Sequence, residues 1–280
     1  MLVWLRDIRV DKVVTNIIQS SVVDCTVLVC SCDRYADLWK PYFSLLRLHW
    51  PDCPFPVALI TESKRPAIPN VRPLCLGNGS DWSTLLLKAL DAVDTPYILL
   101  TLEDFFLRRP VDTAGVMNLY HEVQQKSLSM LRLIPRPGPT IVMGNTEYGG
   151  IAVGAPYKVS TQAAFWRSET LRQLLVSGET AWQFEVNGSK RIAELGGFAA
   201  VWRETLPYRH HVVERGKWFP WDYWKFSRMN IGVDPAARPV MTAGETSRWI
   251  IRKIISLLFQ RVILRLRPVL PRQQIQKRAR

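Results

Sequence analysis

Two adjacent carboxylates, Glu103 and Asp104, interrupt the apolar stretch YILLTLEDFFL at residues 97–107. Apart from Thr101 the rest of that stretch is apolar, and the first basic residue after it is Arg108. Burying an unpaired carboxylate is costly or forces it to take up a proton. The pair therefore needs compensation, either from helix capping and a surface salt bridge to a nearby arginine, or from a bound divalent cation, which prefers oxygen ligands.

The carboxylates belong to the third of three strand-like segments that alternate with helical patterns. The strand-like segments are short and apolar, which is typical of buried parallel strands, and the helical segments repeat apolar residues with the helical period. A cap at Ser80 or Asp81 marks the start of the second helix. Strands are predicted at 26–32, at 56–61 and within 97–107, and helices at 36–49 and 82–93.

This alternation predicts βαβ units and a mostly parallel sheet. Ligands of such sheets bind beyond the carboxyl ends of the strands. Ser31 and Asp33 follow the first predicted strand, Glu62 follows the second, and the carboxylate pair follows the third. These side chains are expected to converge on one crevice.

The second half of the chain is less regular. The pattern predicts a helix at 111–125, a strand within SLSMLRLI (127–134), a loop at 135–150, a strand within YKVSTQAAFW (157–166), helices from about Ser168 and after Glu179, and a loop or edge strand within HHVVERGKWFP (210–220).

Three segments carry a resemblance to a known family. DWSTLLLKALDAVDTPYILLTLEDFFL (81–107) resembles the region of GT-A-type glycosyltransferases in which a short acidic motif, usually Asp-x-Asp, ends a central strand. YKVSTQAAFWRSETLRQLL (157–175) and ETAWQFEVNGSKR (179–191) resemble the acceptor-side segments of bacterial members that build lipopolysaccharide or capsule chains. The likeness spans roughly residues 24–220. Glu-Asp-Phe at 103–105 departs from the family motif, so metal dependence stays open.

The resemblance implies a site for a nucleotide-sugar donor. Asp104, with Glu103 beside it, would face the donor diphosphate, directly or through Mn²⁺ or Mg²⁺, and His211 is a further candidate metal ligand. A leaving diphosphate needs cationic neutralisation. The other donor-side candidates are Ser31, Asp33, Glu62, Asn78, Trp82, Arg215 and Lys217, of which Asp33 and Glu62 are equally well explained as loop caps.

On the acceptor side, Glu185 occupies the place of the carboxylate that deprotonates the acceptor hydroxyl in inverting enzymes of this fold. A positioned general base contributes around 10²–10⁴-fold to rate. The alternative for Glu185 is a carboxylate favoured by the helix dipole near an N-terminus. Gln162, Trp166, Arg167 and Trp182 are the acceptor-side candidates, and both tryptophans are also typical of a core.

Charge concentrates at the C-terminus. The net charge is +13, and residues 246–280 hold ten Lys or Arg and no Asp or Glu. RWIIRKIISLLFQRVILRLR (248–267) places most of its polar residues on one arc of a helical wheel. Internal basic residues argue against a membrane span and favour a helix on an anionic membrane surface, with a core-packing helix as the alternative. No nucleic-acid recognition motif is present, so nucleic acid is not an expected partner.

Other features fit an intracellular protein. The five cysteines form no zinc-type pair and are predicted to be free thiols of a reducing compartment. Charges near the N-terminus interrupt any apolar segment of signal-peptide type. We therefore expect a cytoplasmic protein, peripheral on the inner face of the plasma membrane.

These observations combine into one hypothesis. We expect an α/β chain with a GT-A-like domain at 1–245 and a membrane-associating tail at 246–280. Within the domain the nucleotide-sugar half covers about 24–110 and the acceptor half about 111–225. The expected reaction moves a sugar from a nucleotide donor to a lipid-linked glycan, with inversion. The alternatives are a nucleotidyltransferase acting on sugar phosphates and a non-catalytic membrane-associated scaffold.

Overall fold

The computed structural model describes residues 24–144, 147–192, 195–210 and 212–266, with side chains up to residue 255. The predictions made for the N-terminal segment, for His211 and for residues 267–280 lie outside this range. The described chain forms two compact units that divide after His210.

The first unit is built around an eight-stranded sheet with helices packed against it. Its strands are β1 (Cys25–Cys30), β2 (Val57–Thr61), β3 (Val71–Cys75), β4 (Tyr97–Leu102), β6 (Met130–Arg132), β7 (Tyr148–Gly150), β8 (Ala164–Arg167) and β9 (Phe198–Val201), with a separate two-stranded pair formed by β5 (Phe106–Leu107) and β10 (Tyr208–Arg209). Its helices are α1 (Ala36–His49), α2 (Trp82–Val93), α3 (Thr113–Gln125), α4 (Ser168–Leu174) and α5 (Ala181–Arg191). The α/β class expected from the sequence is confirmed.

One half of the sheet is parallel, in the order β3-β2-β1-β4. Of the two helices between these strands, α2 starts at a side-chain cap, whereas α1 has none. The Asp81 carboxylate accepts a hydrogen bond from Thr84 N at 3.0 Å and so fixes the first turn of α2. Asp94, in the left-handed conformation at φ 47°, ends that helix before β4.

The other half of the sheet is mixed. β8 is antiparallel to both of its neighbours, β4 and β6, while β9 is parallel to β6 and antiparallel to β7. The register places Ala164 of β8 beside Leu100 on one side and beside Arg132 on the other. Since β4 and β6 both run antiparallel to β8, their carboxyl ends lie at the same edge of the sheet.

The core lies between the sheet and its helices and is dominated by branched and aromatic side chains. Leu28, Leu100 and Trp166 are each 0% exposed. Full burial of side chains of this kind is worth about 1.5–3 kcal/mol each relative to exposure.

The second unit is smaller and begins with a β-hairpin. Its elements are β11 (Val213–Glu214), β12 (Lys217–Trp218), α6 (Pro220–Phe226) and α7 (Ala243–Leu266). Arg215 and Gly216 form the two-residue turn, both with positive φ, which is the geometry that joins strands with the natural twist. No helix within the described residues is long and apolar enough to cross a membrane.

Several boundaries differ from the sequence-based predictions. α1 and α2 begin and end at the predicted residues. In contrast, the predicted strand over residues 157–166 forms only from Ala164, because the backbone before it turns to bind side chains of α5. β3, β7, β9 and α6 were not predicted. β3 contains Pro73 and β7 is a Tyr-Gly-Gly segment, so neither has a strong strand pattern.

Candidate active site at the carboxyl edge of the sheet

Glu103 and Asp104 directly follow β4, as the sequence predicts. Glu103 is 9% exposed and Asp104 is half-buried. Burial, assisted by the charge of Glu103, raises the pKa of the Cys30 thiol at the end of β1. Glu103 N donates a hydrogen bond to Cys30 O at 3.3 Å, which holds the two strand ends together. The two arginines that follow in sequence, Arg108 and Arg109, both pair with Glu204.

Asp33 and Glu62 meet, but their mutual contacts are those of a loop clamp. The Asp33 carboxylate accepts hydrogen bonds from the backbone N–H groups of Glu62, Ser63 and Lys64, each at 3.0 Å. Glu62 Oε2 in turn accepts from Asp33 N at 3.0 Å. Burial acts to raise the pKa of Asp33, but the hydrogen bonds from Ser63 and its neighbours outweigh it and lower that pKa. The clamp fixes the ends of β1 and β2 relative to each other.

The remaining donor-side candidates of the first unit, Ser31, Asn78 and Trp82, lie near this edge and differ in their exposure to solvent. Ser31 Oγ accepts a hydrogen bond from Trp39 Nε1 at 2.7 Å. Asn78 is exposed in the turn before α2. Trp82 begins α2 and packs against Phe184, with ring centroids 5.3 Å apart.

A buried cation that the sequence analysis missed lies at the carboxyl end of β6. Arg132 is 0% exposed, and its guanidinium donates hydrogen bonds to the backbone carbonyls of Pro137, Tyr157 and Lys158. Burial lowers the pKa of Arg132 to about 10, while the charge of Glu185 acts in the opposite direction. The signal was present in the sequence, since a lone arginine inside SLSMLRLI resembles the carboxylate pair inside its own apolar run.

Glu185 projects from α5 towards the loop before β8. Its Oε1 accepts hydrogen bonds from Thr161 N at 2.7 Å, Thr161 Oγ1 at 2.9 Å and Ser160 Oγ at 3.2 Å. α5 comes close to this loop at Gly188, where an added Cβ would lie 3.3 Å from Val159 Cγ1. The carboxylate is therefore held in one orientation, half-buried at the same edge of the sheet as Arg132.

Tyr208 links the two halves of the edge. Its hydroxyl donates to Gln162 Oε1 at 2.8 Å and accepts from Ala163 N at 3.1 Å. Burial raises the pKa of Tyr208, the charge of Arg132 lowers it, and the charge of Asp104 raises it further. The ring of Tyr208 stacks on Phe105 with centroids 4.2 Å apart, and the His210 ring lies 4.6 Å away. Tyr208 thus joins Gln162 to Phe105, the residue that follows Asp104, and no sequence pattern indicated this link.

The other acceptor-side candidates are not brought into this cluster. Trp166 is 0% exposed within the core and cannot contact an acceptor from there. Arg167 pairs with Tyr97 at the start of β4, so it lies at the opposite edge, because the six residues of that strand span roughly 20 Å. These two predictions are corrected by the antiparallel direction of β8. Trp182, by contrast, is 65% exposed on the first turn of α5.

Of the predicted metal ligands, the structure describes only Glu103 and Asp104. Across the described residues no group of three or more His, Cys, Asp or Glu is placed to hold a metal ion, and His211 is not among those residues. Glu103 and Asp104 still offer the oxygen ligands that Mg²⁺ takes when substrate phosphates complete its shell. Arg215 and Lys217 belong to the second unit, where Lys217 Nζ pairs with Glu245 Oε1 at 2.5 Å.

No protein-family model and no curated protein matches the chain. Among solved structures, residues 1–349 of TarS from S. aureus are 12% identical, with 66% of this chain and 59% of that chain covered and a TM-score of 0.43. The same TarS fragment in complex with UDP-GlcNAc is 11% identical, with 73% of this chain and 64% of that chain covered and a TM-score of 0.42. A cytidylyltransferase from Leptospira borgpetersenii serovar Hardjo-bovis is 11% identical, with 61% of this chain and 71% of that chain covered and a TM-score of 0.37. The chain thus spans about 59% of the first TarS fragment, and likenesses of this strength establish neither family nor function.

The Asp33 clamp gives a pH-dependent prediction. Because its folded pKa is lowered, the carboxylate stabilises the fold fully above its unfolded pKa of about 3.9, and this contribution is lost as pH falls through the folded value. Asp33→Asn is therefore expected to melt at a lower temperature than the wild type at pH 7, with the gap closing below about pH 4. Melting curves from pH 3 to pH 8 measure this, and a gap independent of pH would contradict it.

Proposed function

We propose that the protein is a glycosyltransferase that moves a sugar from a nucleotide-sugar donor to a lipid-linked glycan acceptor by single displacement with inversion. The observation that carries the proposal is the cluster at the carboxyl edge. Tyr208 stacks on Phe105, the residue after Asp104, and donates a hydrogen bond to Gln162. Gln162 adjoins Thr161, whose backbone N–H donates a hydrogen bond to Glu185. Residues far apart in sequence thereby form one site at the place where open α/β sheets bind ligands.

On the donor side, Asp104 is assigned to the diphosphate, with Glu103 supporting it. A bound Mg²⁺ or Mn²⁺, held by these two carboxylates and the donor phosphates, would neutralise the charge that develops on the leaving diphosphate. Asp33 and Glu62 act indirectly in this proposal, because their clamp fixes the crevice floor on which the nucleoside would rest.

On the acceptor side, Glu185 is assigned as the general base. A sugar hydroxyl is a weak nucleophile until its proton is removed, and a carboxylate in hydrogen-bond reach can accept that proton. The bonds at Oε1 orient the group and leave Oε2 as the atom assigned to proton transfer. Gln162 and exposed Trp182 are the assigned acceptor contacts, since tryptophan offers a flat apolar face to a sugar ring.

The proposed lipid-linked acceptor agrees with the surface of the second unit. Four isoleucines of α7, Ile250, Ile251, Ile254 and Ile255, are 39–55% exposed. On a helix they share an arc of about 140°. An exposed apolar stripe on a helix rich in basic residues is typical of attachment to an anionic membrane surface, so we assign residues 246–280 to that role.

Asp104→Asn tests the donor site. The variant should lose the stabilisation that a nucleotide sugar gives the wild type, which amounts to about 2.7 kcal/mol at a donor concentration of 100 Kd. The measurement is thermal shift against UDP-, GDP-, CMP- and dTDP-sugars with and without Mn²⁺.

The matched control for this experiment is Asp91→Asn, whose carboxylate pairs with Arg172 on the surface of α2. It should melt and bind as the wild type does. Equal donor binding by both variants would remove Asp104 from the site. Stabilisation by a nucleoside triphosphate and by no nucleotide sugar would favour the nucleotidyltransferase alternative.

Glu185→Gln tests the base. The amide oxygen can still accept the bonds of Thr161, so the fold and donor binding should persist while kcat falls by about 10²–10⁴-fold. Glu169→Gln, at an exposed residue of α4, is the control and should keep full activity. A Glu185→Gln enzyme with wild-type kcat would show that the carboxylate has only a structural role.

Ile251→Gln/Ile254→Gln tests membrane contact. Each side chain that leaves the bilayer forfeits about 1.5 kcal/mol or more, so the pair should weaken vesicle binding by 100-fold or more. Sedimentation with vesicles containing phosphatidylglycerol measures the effect. Val176→Gln, on a similarly exposed side chain of the first unit, should bind as the wild type does. Unchanged binding of the double variant would contradict the assignment.

A further inference from the structure

A basic cleft lies in the second unit between the β11–β12 hairpin and the first turns of α7. Its volume is about 480 Å³. Five of its lining residues are basic, Arg215, Lys217, Arg248, Arg252 and Lys253, and two are acidic, Glu214 and Glu245.

Glu245 has a structural role that accounts for its presence. Its Oε2 accepts from Thr242 N at 2.9 Å, and Thr242 Oγ1 accepts from Glu245 N at 3.3 Å, which is a capping box at the start of α7. The hydrogen bond from Lys217, with that from Thr242, lowers the pKa of Glu245 to about 2. The carboxylate therefore stays ionised and neutralises Lys217. Glu214 Oε1 lies 3.8 Å from Arg215 Nε, so the excess positive charge of the cleft comes from Arg248, Arg252 and Lys253.

The inner wall of the cleft is aromatic and fixed in place. Trp249 packs edge-on against Phe219, with ring centroids 4.7 Å apart. Arg248 and Arg252 flank Trp249 on the helix, and Lys253 Nζ lies 5.8 Å above its ring. The anchored tryptophan keeps this side of α7 towards the hairpin, so the basic side chains line the cleft.

The apolar stripe of α7 lies on the opposite side of the helix from the cleft. Arg248, Trp249, Arg252 and Lys253 share an arc of about 140°, and the exposed isoleucines share the complementary arc. A helix is about 10–12 Å across, and the apolar face of a surface helix sinks about 5–10 Å into the bilayer boundary. A protein attached through the isoleucines therefore holds the cleft at the depth of the lipid phosphates.

We propose that this cleft binds the phosphate of an anionic lipid headgroup, with a phosphomonoester as the best match. Guanidinium groups bind phosphate oxygens in a bidentate manner, and three are present in Arg215, Arg248 and Arg252. The proposal rests on the membrane contact proposed above. In it Arg215 binds a lipid phosphate, whereas from the sequence we expected Arg215 to bind the donor diphosphate.

The test measures binding of dihexanoyl phosphatidic acid, used below the concentration at which it forms micelles, by isothermal titration calorimetry on the full chain. The wild type should show saturable binding with one site per chain. Arg248→Gln/Arg252→Gln should weaken it at least tenfold.

Lys225→Gln/Arg228→Gln is the matched control. It removes the same two charges from exposed residues of the same unit outside the cleft, where Arg228 lies over the Trp224 ring at 3.5 Å. Its affinity for phosphatidic acid should stay within twofold of the wild type. An equal loss in both double variants would show attraction by net charge alone and would overturn the proposal.

Two further arms identify the ligand. Dihexanoyl phosphatidylcholine, which has the same chains and no net charge, should bind at least tenfold more weakly than phosphatidic acid. Inorganic phosphate should also bind at least tenfold more weakly than phosphatidic acid. Binding of either as tightly as phosphatidic acid would overturn the lipid assignment.

A second variant guards against misfolding. Arg215→Asn removes the guanidinium while keeping a residue suited to the left-handed backbone at φ 51°. It should melt as the wild type does and bind phosphatidic acid at least threefold more weakly. If it instead loses only the thermal shift by nucleotide sugars, the cleft proposal fails while the transferase proposal stands. If vesicle binding depends on the isoleucines but phosphatidic acid does not bind, the cleft proposal alone fails.

Discussion

The antiparallel insertion of β8 between β4 and β6 is the constraint on which the site depends. It places Ala164 between Leu100 and Arg132, and so brings the loop before β8 to the edge where β4 and β6 end. Without that insertion, Thr161 would not reach the edge and Glu185 would have no backbone N–H to orient it. At this edge, attraction by the Glu185 charge partly offsets the cost of burying the Arg132 guanidinium.

Most of the parallel half of the fold was predictable because its signals are local, whereas β3, which contains Pro73, was not predicted. The cap at Asp81 and the apolar runs of β1, β2 and β4 require no knowledge of distant contacts. The mixed half was not predictable for the opposite reason. β8 has only four residues, although the alternating pattern extends over residues 157–166. The segment before β8 does not pair with a strand, because its backbone N–H groups donate hydrogen bonds to Glu185 and Ser189.

The residues of the candidate site were likewise only partly predictable from the sequence. Glu103 and Asp104 stood out because charge in an apolar setting needs a reason, and Arg132 satisfied the same rule without being chosen. Glu185 was selected from the resemblance to inverting enzymes. Tyr208 could not have been selected, because nothing in LPYRHH distinguishes a tyrosine that joins two halves of a site from an ordinary core residue. Trp166 and Arg167 were expected on the acceptor side because they follow the strand-like segment KVSTQ. Trp166 is instead buried in the core, and the direction of β8, which the sequence does not contain, places Arg167 at the opposite edge.

Under the proposed function, Gly188 is a position where stability and activity oppose each other. Glycine within a helix is less favourable than alanine by about 0.5–1 kcal/mol. An alanine there would strengthen α5 but press on Val159, so the helix would have to retreat by a few tenths of an ångström from the loop that orients Glu185. Selection for thermal stability alone would favour that exchange, whereas selection for turnover would resist it, and the residue found at this position in variants of the protein would record which pressure was stronger.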